Sequence, residues 1–96
     1  MNEIVLITGG GRGIGAATAE LAARRGYDVF INYRSDHTAA AAVAERVRDT
    51  GRRCVTLAVD VANEADVMRM FDVCDRELGP LDGLVNNAGT VGLQTR

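Results

Sequence analysis

"ITGGGRGIGAAT", residues 7–18, follows directly on the apolar run Ile4-Val5-Leu6-Ile7. It crowds glycine and alanine around one arginine at the point where a buried strand should end. Fixing glycine costs conformational entropy, so such a cluster marks backbone that bends sharply or approaches something closely. Beyond it, apolar residues recur at helical spacing, which makes the stretch a strand-to-helix turn.

Working outward, the same alternation repeats along the chain. Residues 3–8 (EIVLIT), 28–33 (DVFINY), 53–59 (RCVTLAV) and 82–86 (DGLVN) read as short buried strands bounded by turn formers. Three helical patterns lie between them, over about 13–25, 37–50 and 64–78. The first puts Ile14, Ala17, Leu21 and Ala22 on one face. The second does so with Ala40, Val43, Ala44 and Val47, and the third with Val67, Met70, Phe71, Cys74 and Leu78. Gly26, Gly51 and Gly79 each follow a helix, Pro80 comes directly after the last, and Asn63 with Asp66 resembles a capping pair. No repeat, linker or low-complexity segment interrupts the pattern.

The order β-α-β-α-β-α-β predicts an α/β fold with a parallel sheet, its crossovers right-handed. In the doubly wound strand order 3-2-1-4, the first two helices cover one face and the third covers the other. A ligand then binds at the carboxyl ends of the strands, where the first and fourth diverge, and the glycine turn lies there. Gly9, Gly13 and Gly15 would let the backbone bend and present N–H groups at a helix start, which suits a pyrophosphate. Two spacings overlap in the turn: Gly11-x-Gly13-x-x-Ala16, the common dinucleotide fingerprint, and Thr8-Gly9-x-x-x-Gly13-Ile14-Gly15. A glycine-rich turn that binds nothing is the alternative.

Composition narrows the field. Ninety-six residues allow one small domain (1–96), and 47% hydrophobic with 25% charged residues is ordinary for a soluble globular chain. A net charge of -2 gives no reason to expect nucleic acid or an anionic membrane as partner. Every one of the 11 Lys and Arg residues is arginine, which excludes the lysine of a phosphate-binding P-loop and lysine Schiff-base chemistry. Cys54 and Cys74 are too few for a disulfide framework or a metal site and read as buried thiols of a cytoplasmic protein. The first apolar run is too short for a signal peptide or a membrane span. His37 reads as a solvated residue, and Tyr27 as packing at the mouth of the second strand.

Two further stretches complete a pattern. "LVNNAGT" (84–90) closes the fourth strand, and "LAVDVANEADV" (57–67) closes the third. Together with T-G-x-x-x-G-I-G, these three motifs, in this order and over nearly the whole chain, closely resemble the short-chain dehydrogenase/reductase family. Among its members the resemblance is to the 3-oxoacyl-carrier-protein reductase type. It implies a Rossmann-type sheet in which Gly9, Gly11, Gly13, Ile14 and Gly15 hold a pyrophosphate, and Asp60 and Val61 flank the adenine. It also implies that Asn86-Asn87-Ala88-Gly89 supports the sheet and brings Asn87, Ala88 and Gly89 near the nicotinamide-side ribose. Asp60 has a second reading, as a cap on the turn after the third strand. Asn86 has one too, as a purely structural tie between strands.

The end of the second strand bears on cofactor choice. An NAD site wants an acidic residue there to bond the ribose 2′-hydroxyl. This chain has Tyr33-Arg34-Ser35 instead, with Asp36 already beyond the strand. Arg34 can offer a charge-assisted fork to a 2′-phosphate, and Arg12 a second positive charge from the loop, which points to NADP(H). The alternative is that both arginines are merely solvated.

Family members take their chemistry from a Ser and a Tyr-x-x-x-Lys pair downstream of N-N-A-G, the tyrosine acting as acid/base and the lysine lowering its pKa. Here Tyr27 and Tyr33 are followed four residues on by Ile31 and His37. The chain therefore reads as the amino-terminal, NADP(H)-binding part of an oxidoreductase that moves hydride between cofactor and a carbonyl or alcohol. A full-length form would be a homo-oligomer acting on a small-molecule carbonyl or alcohol whose identity is not legible here. The alternative is a stand-alone, non-catalytic nucleotide-binding or interaction module. For these residues alone, the fourth strand is expected to be an open edge, with one sheet face partly bare along Ile4-Val5-Leu6-Ile7.

Overall fold

A computed structural model of the chain describes residues 3–9, 11 and 13–86. Its elements follow the order β1 (Glu3–Thr8), α1 (Gly13–Arg24), β2 (Tyr27–Tyr33), α2 (His37–Asp49), β3 (Cys54–Ala58), α3 (Glu64–Glu77) and β4 (Gly83–Asn86). The strands form one parallel sheet in the order β3-β2-β1-β4, as the alternating pattern predicts. β1 pairs with β2 from Glu3↔Tyr27 to Thr8↔Asn32, and with β4 from Val5↔Gly83 to Thr8↔Asn86. β2 in turn pairs with β3 from Val29↔Cys54 to Tyr33↔Ala58.

Because side chains alternate across a strand, the central strands feed two separate cores. Val5, Ile7, Val29 and Ile31 point toward α1 and α2 and pack with Ala19, Ala23, Val43, Ala44 and Val47. Ile4, Leu6 and Phe30 point the other way and pack with Met70, Cys74 and Leu78 of the α3 side. The expectation of a bare face along residues 4–7 is thus overturned: α3 and the segment after it bury Ile4 and Leu6 completely enough to exclude water. The large apolar side chains that are exposed are instead Leu84 on β4, Met68 and Phe71 on α3, Ile14 and Leu21 on α1, and Val61 after β3.

Of the apolar face expected for α1, only Ala22 packs against the core. Ile14 (77% exposed) and Leu21 (51%) face solvent, and the residues against the sheet are Gly15, Ala19 and Ala23, four apart. A helix lying close over a parallel sheet leaves room only for small side chains at the contact, so size overrides hydrophobicity in choosing the face. Gly15 therefore serves close packing within the helix; the left-handed bends belong to Gly9 (φ 66°) and Gly13 (φ 58°). The faces expected for α2 are all buried, whereas on α3 Phe71 is partly exposed.

Caps fix the helix starts. Asp36 Oδ1 accepts from the Ala39 N–H and Asn63 Oδ1 from the Asp66 N–H, each at 3.0 Å. The Asp66 carboxylate reaches back to the Asp60 N–H (3.0 Å), and that bond, with Arg69 beside it, holds its pKa below the usual carboxylate value. At the far end of the sheet, Asp28 is fully buried yet bonded by the Arg53 N–H (2.9 Å) and by the guanidinium groups of Arg53 and Arg52. Burial pushes its pKa up, but these donors outweigh burial and hold it below the ordinary value. Among the described residues, no helix is long and apolar enough to cross a membrane.

Candidate functional site

Parallel strands end together, so the register decides what can meet. Thr8, Asn32 and Asn86 are aligned across the last rung of β2-β1-β4, and Tyr33 pairs with Ala58. The carboxyl ends of all four strands consequently lie along one edge of the sheet. Four of the stretches singled out in the sequence are brought there: the glycine turn after β1, Tyr33-Arg34-Ser35 after β2, Asp60-Val61 after β3, and the start of N-N-A-G at β4. The turn follows β1, which lies between β2 and β4, and leads into α1 on one face, while α3 covers the other.

Within the turn, Gly9 and Gly13 both lie in the left-handed region that side chains resist. Among the described residues, a Cβ on Gly13 would meet no atom within 4 Å, so they leave open space beside the backbone just where α1 begins. Gly11 is buried against Ala40 of α2, its would-be Cβ 3.4 Å from the Ala40 Cα, which seats the loop on the neighbouring helix. A helix start with accessible amides beside open space fits an anionic group such as a pyrophosphate. Ile14, exposed at that start, borders the same space.

The loop is anchored below. The Gly9 N–H donates to Asn32 Oδ1 at 2.8 Å, and the Thr8 hydroxyl donates to Asn86 Oδ1 at 3.0 Å. The second bond ties β1 to β4 and realises the structural reading of Asn86. Asn32 was missed by sequence reasoning. Its signal was available, since a primary amide interrupts the apolar run of DVFINY at a position opposite the last residue of β1.

At the β2 end, Arg34 and Ser35 are exposed, and Arg34 makes no ion pair among the described residues. Tyr33 is half-buried; its hydroxyl shares a hydrogen bond of 2.6 Å with His37 Nδ1, the rings meeting edge to face. His37 is exposed, as expected, but held by that tyrosine. After β3, Asp60 Oδ1 accepts from the Ala62 N–H at 2.9 Å, so its turn-capping reading is realised. Val61 beside it is exposed. Arg12, Asn87, Ala88 and Gly89 lie outside the described residues. Cys54 and Cys74 are buried away from this edge, and burial raises the Cys54 pKa to about 11 against the opposing Arg48 charge, which leaves the thiol inert. No cluster of metal-ligating side chains occurs among the described residues.

The chain is similar to the uncharacterized oxidoreductase YgfF of Escherichia coli (strain K12), with 43% identity over 91 residues that cover 95% of this chain and 37% of that protein. A double mutant of a Serratia marcescens short-chain dehydrogenase/reductase superimposes with a TM-score of 0.88 and 34% identity, over 96% of this chain and 38% of the other. A Burkholderia cenocepacia structure with bound NADP does so with a TM-score of 0.85 and 31% identity, over 88% and 33% respectively. The chain thus spans about a third of the length of the curated relatives it matches. The family model described as short chain dehydrogenase matches residues 3–96. On the sheet order, the glycine turn and this match together, the chain belongs to the short-chain dehydrogenase family.

Proposed function

We propose that these residues form the NADP(H)-binding part of an oxidoreductase that transfers hydride between the cofactor and a small carbonyl or alcohol. The observation that carries the reading is the turn of Gly9 and Gly13, opening α1 at the carboxyl edge of the sheet with an exposed Arg34 one strand away. When bound, the dinucleotide supplies the hydride. The chain's own groups do the holding: amides at the start of α1 meet the pyrophosphate, and Val61 with the Asp60 turn lies against the adenine. Arg34, with Ser35 and Tyr33 beside it, meets a 2′-phosphate. By the family resemblance, Arg12 would add charge to the site, and Asn87, Ala88 and Gly89 would serve the nicotinamide-side ribose. A 3-oxoacyl thioester is the substrate class suggested by the sequence resemblance.

Residues 1–96 contain no lysine, hence no Tyr-x-x-x-Lys pair to hand a proton to a substrate oxygen. The 96-residue chain is therefore expected to bind NADPH without oxidising it. Incubation with NADPH and a panel of ketones and 3-oxoacyl thioesters should show no loss of nicotinamide absorbance above the uncatalysed rate. Turnover that persists after removal of trace host reductases contradicts this reading.

A further inference from the structure

We infer that Asn32 is the positioning residue of the cofactor loop, a role that rests on reading the glycine turn as a dinucleotide site. β1 stops at Thr8, whose partner across the sheet is Asn32 itself. The ladder ends at the Thr8↔Asn32 pair, and the N–H of Gly9, where the backbone turns into the left-handed region, meets a side chain in place of a strand carbonyl. The Asn32 side chain, only 1% exposed, replaces that carbonyl: its Oδ1 accepts from Gly9 at 2.8 Å. The other end of the amide points across the α3 face, where Nδ2 donates to the Met70 sulfur at 3.0 Å.

Those two partners fix the amide's orientation, because only the oxygen can accept from Gly9 and only the nitrogen can donate to a thioether. Asn32 thus joins the first residue of the turn to the core beneath α3, across 23 residues of sequence. Its effect passes through Gly9, which sets the angle at which the loop and the start of α1 approach the ligand. A bond of this kind, buried and lost with its partner left behind, changes an equilibrium by about tenfold.

Asn32→Leu keeps the branched shape with some added bulk and removes the acceptor, while Asn32→Asp keeps an oxygen in place. In the isotope-labelled chain, Asn32→Leu should speed hydrogen exchange at the Gly9 amide by about tenfold and leave Val29 and Phe30 unchanged. Asn32→Asp should keep Gly9 protected. NADPH and NADH should both bind about tenfold more weakly to Asn32→Leu with their ratio unchanged, since the pyrophosphate is common to both. If Val29 and Phe30 also exchange rapidly, Asn32→Ala, which adds no bulk, replaces Asn32→Leu in the same comparison. Unchanged Gly9 exchange, or lost protection with both affinities intact, overturns the positioning role alone. A wild-type chain that binds neither dinucleotide overturns the reading of the site, and this role with it.

Discussion

Asp28 shows how a single residue can carry more than its strand pattern suggests. In the sequence it opens an apolar strand; in the fold it is a buried carboxylate joining β2 to the two arginines before β3. Its folded pKa is depressed, so it contributes stability above its ordinary pKa, and that contribution is lost as pH falls through the lower folded value. Asp28→Asn is expected to cost about 1–3 kcal/mol at neutral pH, because the donors of Arg52 and Arg53 lose a charged acceptor. The difference from wild type should shrink below about pH 4, as the wild-type carboxyl is itself neutralised. Thermal unfolding across an acid pH series checks both; a difference that persists unchanged at pH 2 contradicts the assignment. The partners of Asp28 and Asn32 were missed for one reason: period-two patterning reveals which face a side chain takes, not which long-range partner satisfies it there.

Among the elements, the strands and helix ends were legible because their signals are local. Alternation, glycine stops and the Asn63 cap act within a few residues, and each element falls within about two residues of its expected range. The face of α1 was not legible, since hydrophobic spacing favoured Ile14 and Leu21 while the close approach to the sheet admits only Gly15, Ala19 and Ala23. The turn ahead of that helix yields a sharper expectation. Gly13→Ala should cost about 1–2 kcal/mol as backbone strain, because no atom of the described residues stands where the methyl would go. Gly13→Asn should cost less, since asparagine tolerates the left-handed region. Urea unfolding of the two variants distinguishes strain from packing: equal losses, or a larger loss for the bulkier asparagine, would point to a steric clash instead.

For the molecule as a whole, the parallel sheet places four sequence-distant segments along one edge, and that convergence was predictable from element order alone. Where the exposed apolar surface falls was not, because it depends on how far α3 and the segment after it spread across their face. Among the described residues, β4 pairs only with β1, and Leu84 on it is 54% exposed. An unpaired apolar edge invites another chain, so residues 1–96 are expected to self-associate, and Leu84→Lys should shift the chain toward monomer in sedimentation. A wild-type chain that is already monodisperse and monomeric contradicts that expectation.

The central claim, that this edge holds a 2′-phosphorylated dinucleotide, is tested most directly by equilibrium titration of the chain with NADPH and NADH, before and after Arg34→Ala. A charge-assisted bond to the 2′-phosphate is worth about 1.5–3 kcal/mol, so NADPH should bind roughly ten- to a hundredfold more tightly than NADH. Arg34→Ala should remove most of that preference by weakening NADPH while leaving NADH unchanged. Equal or tighter binding of NADH by the wild-type chain, or an Arg34→Ala variant with undiminished NADPH affinity, would contradict the account.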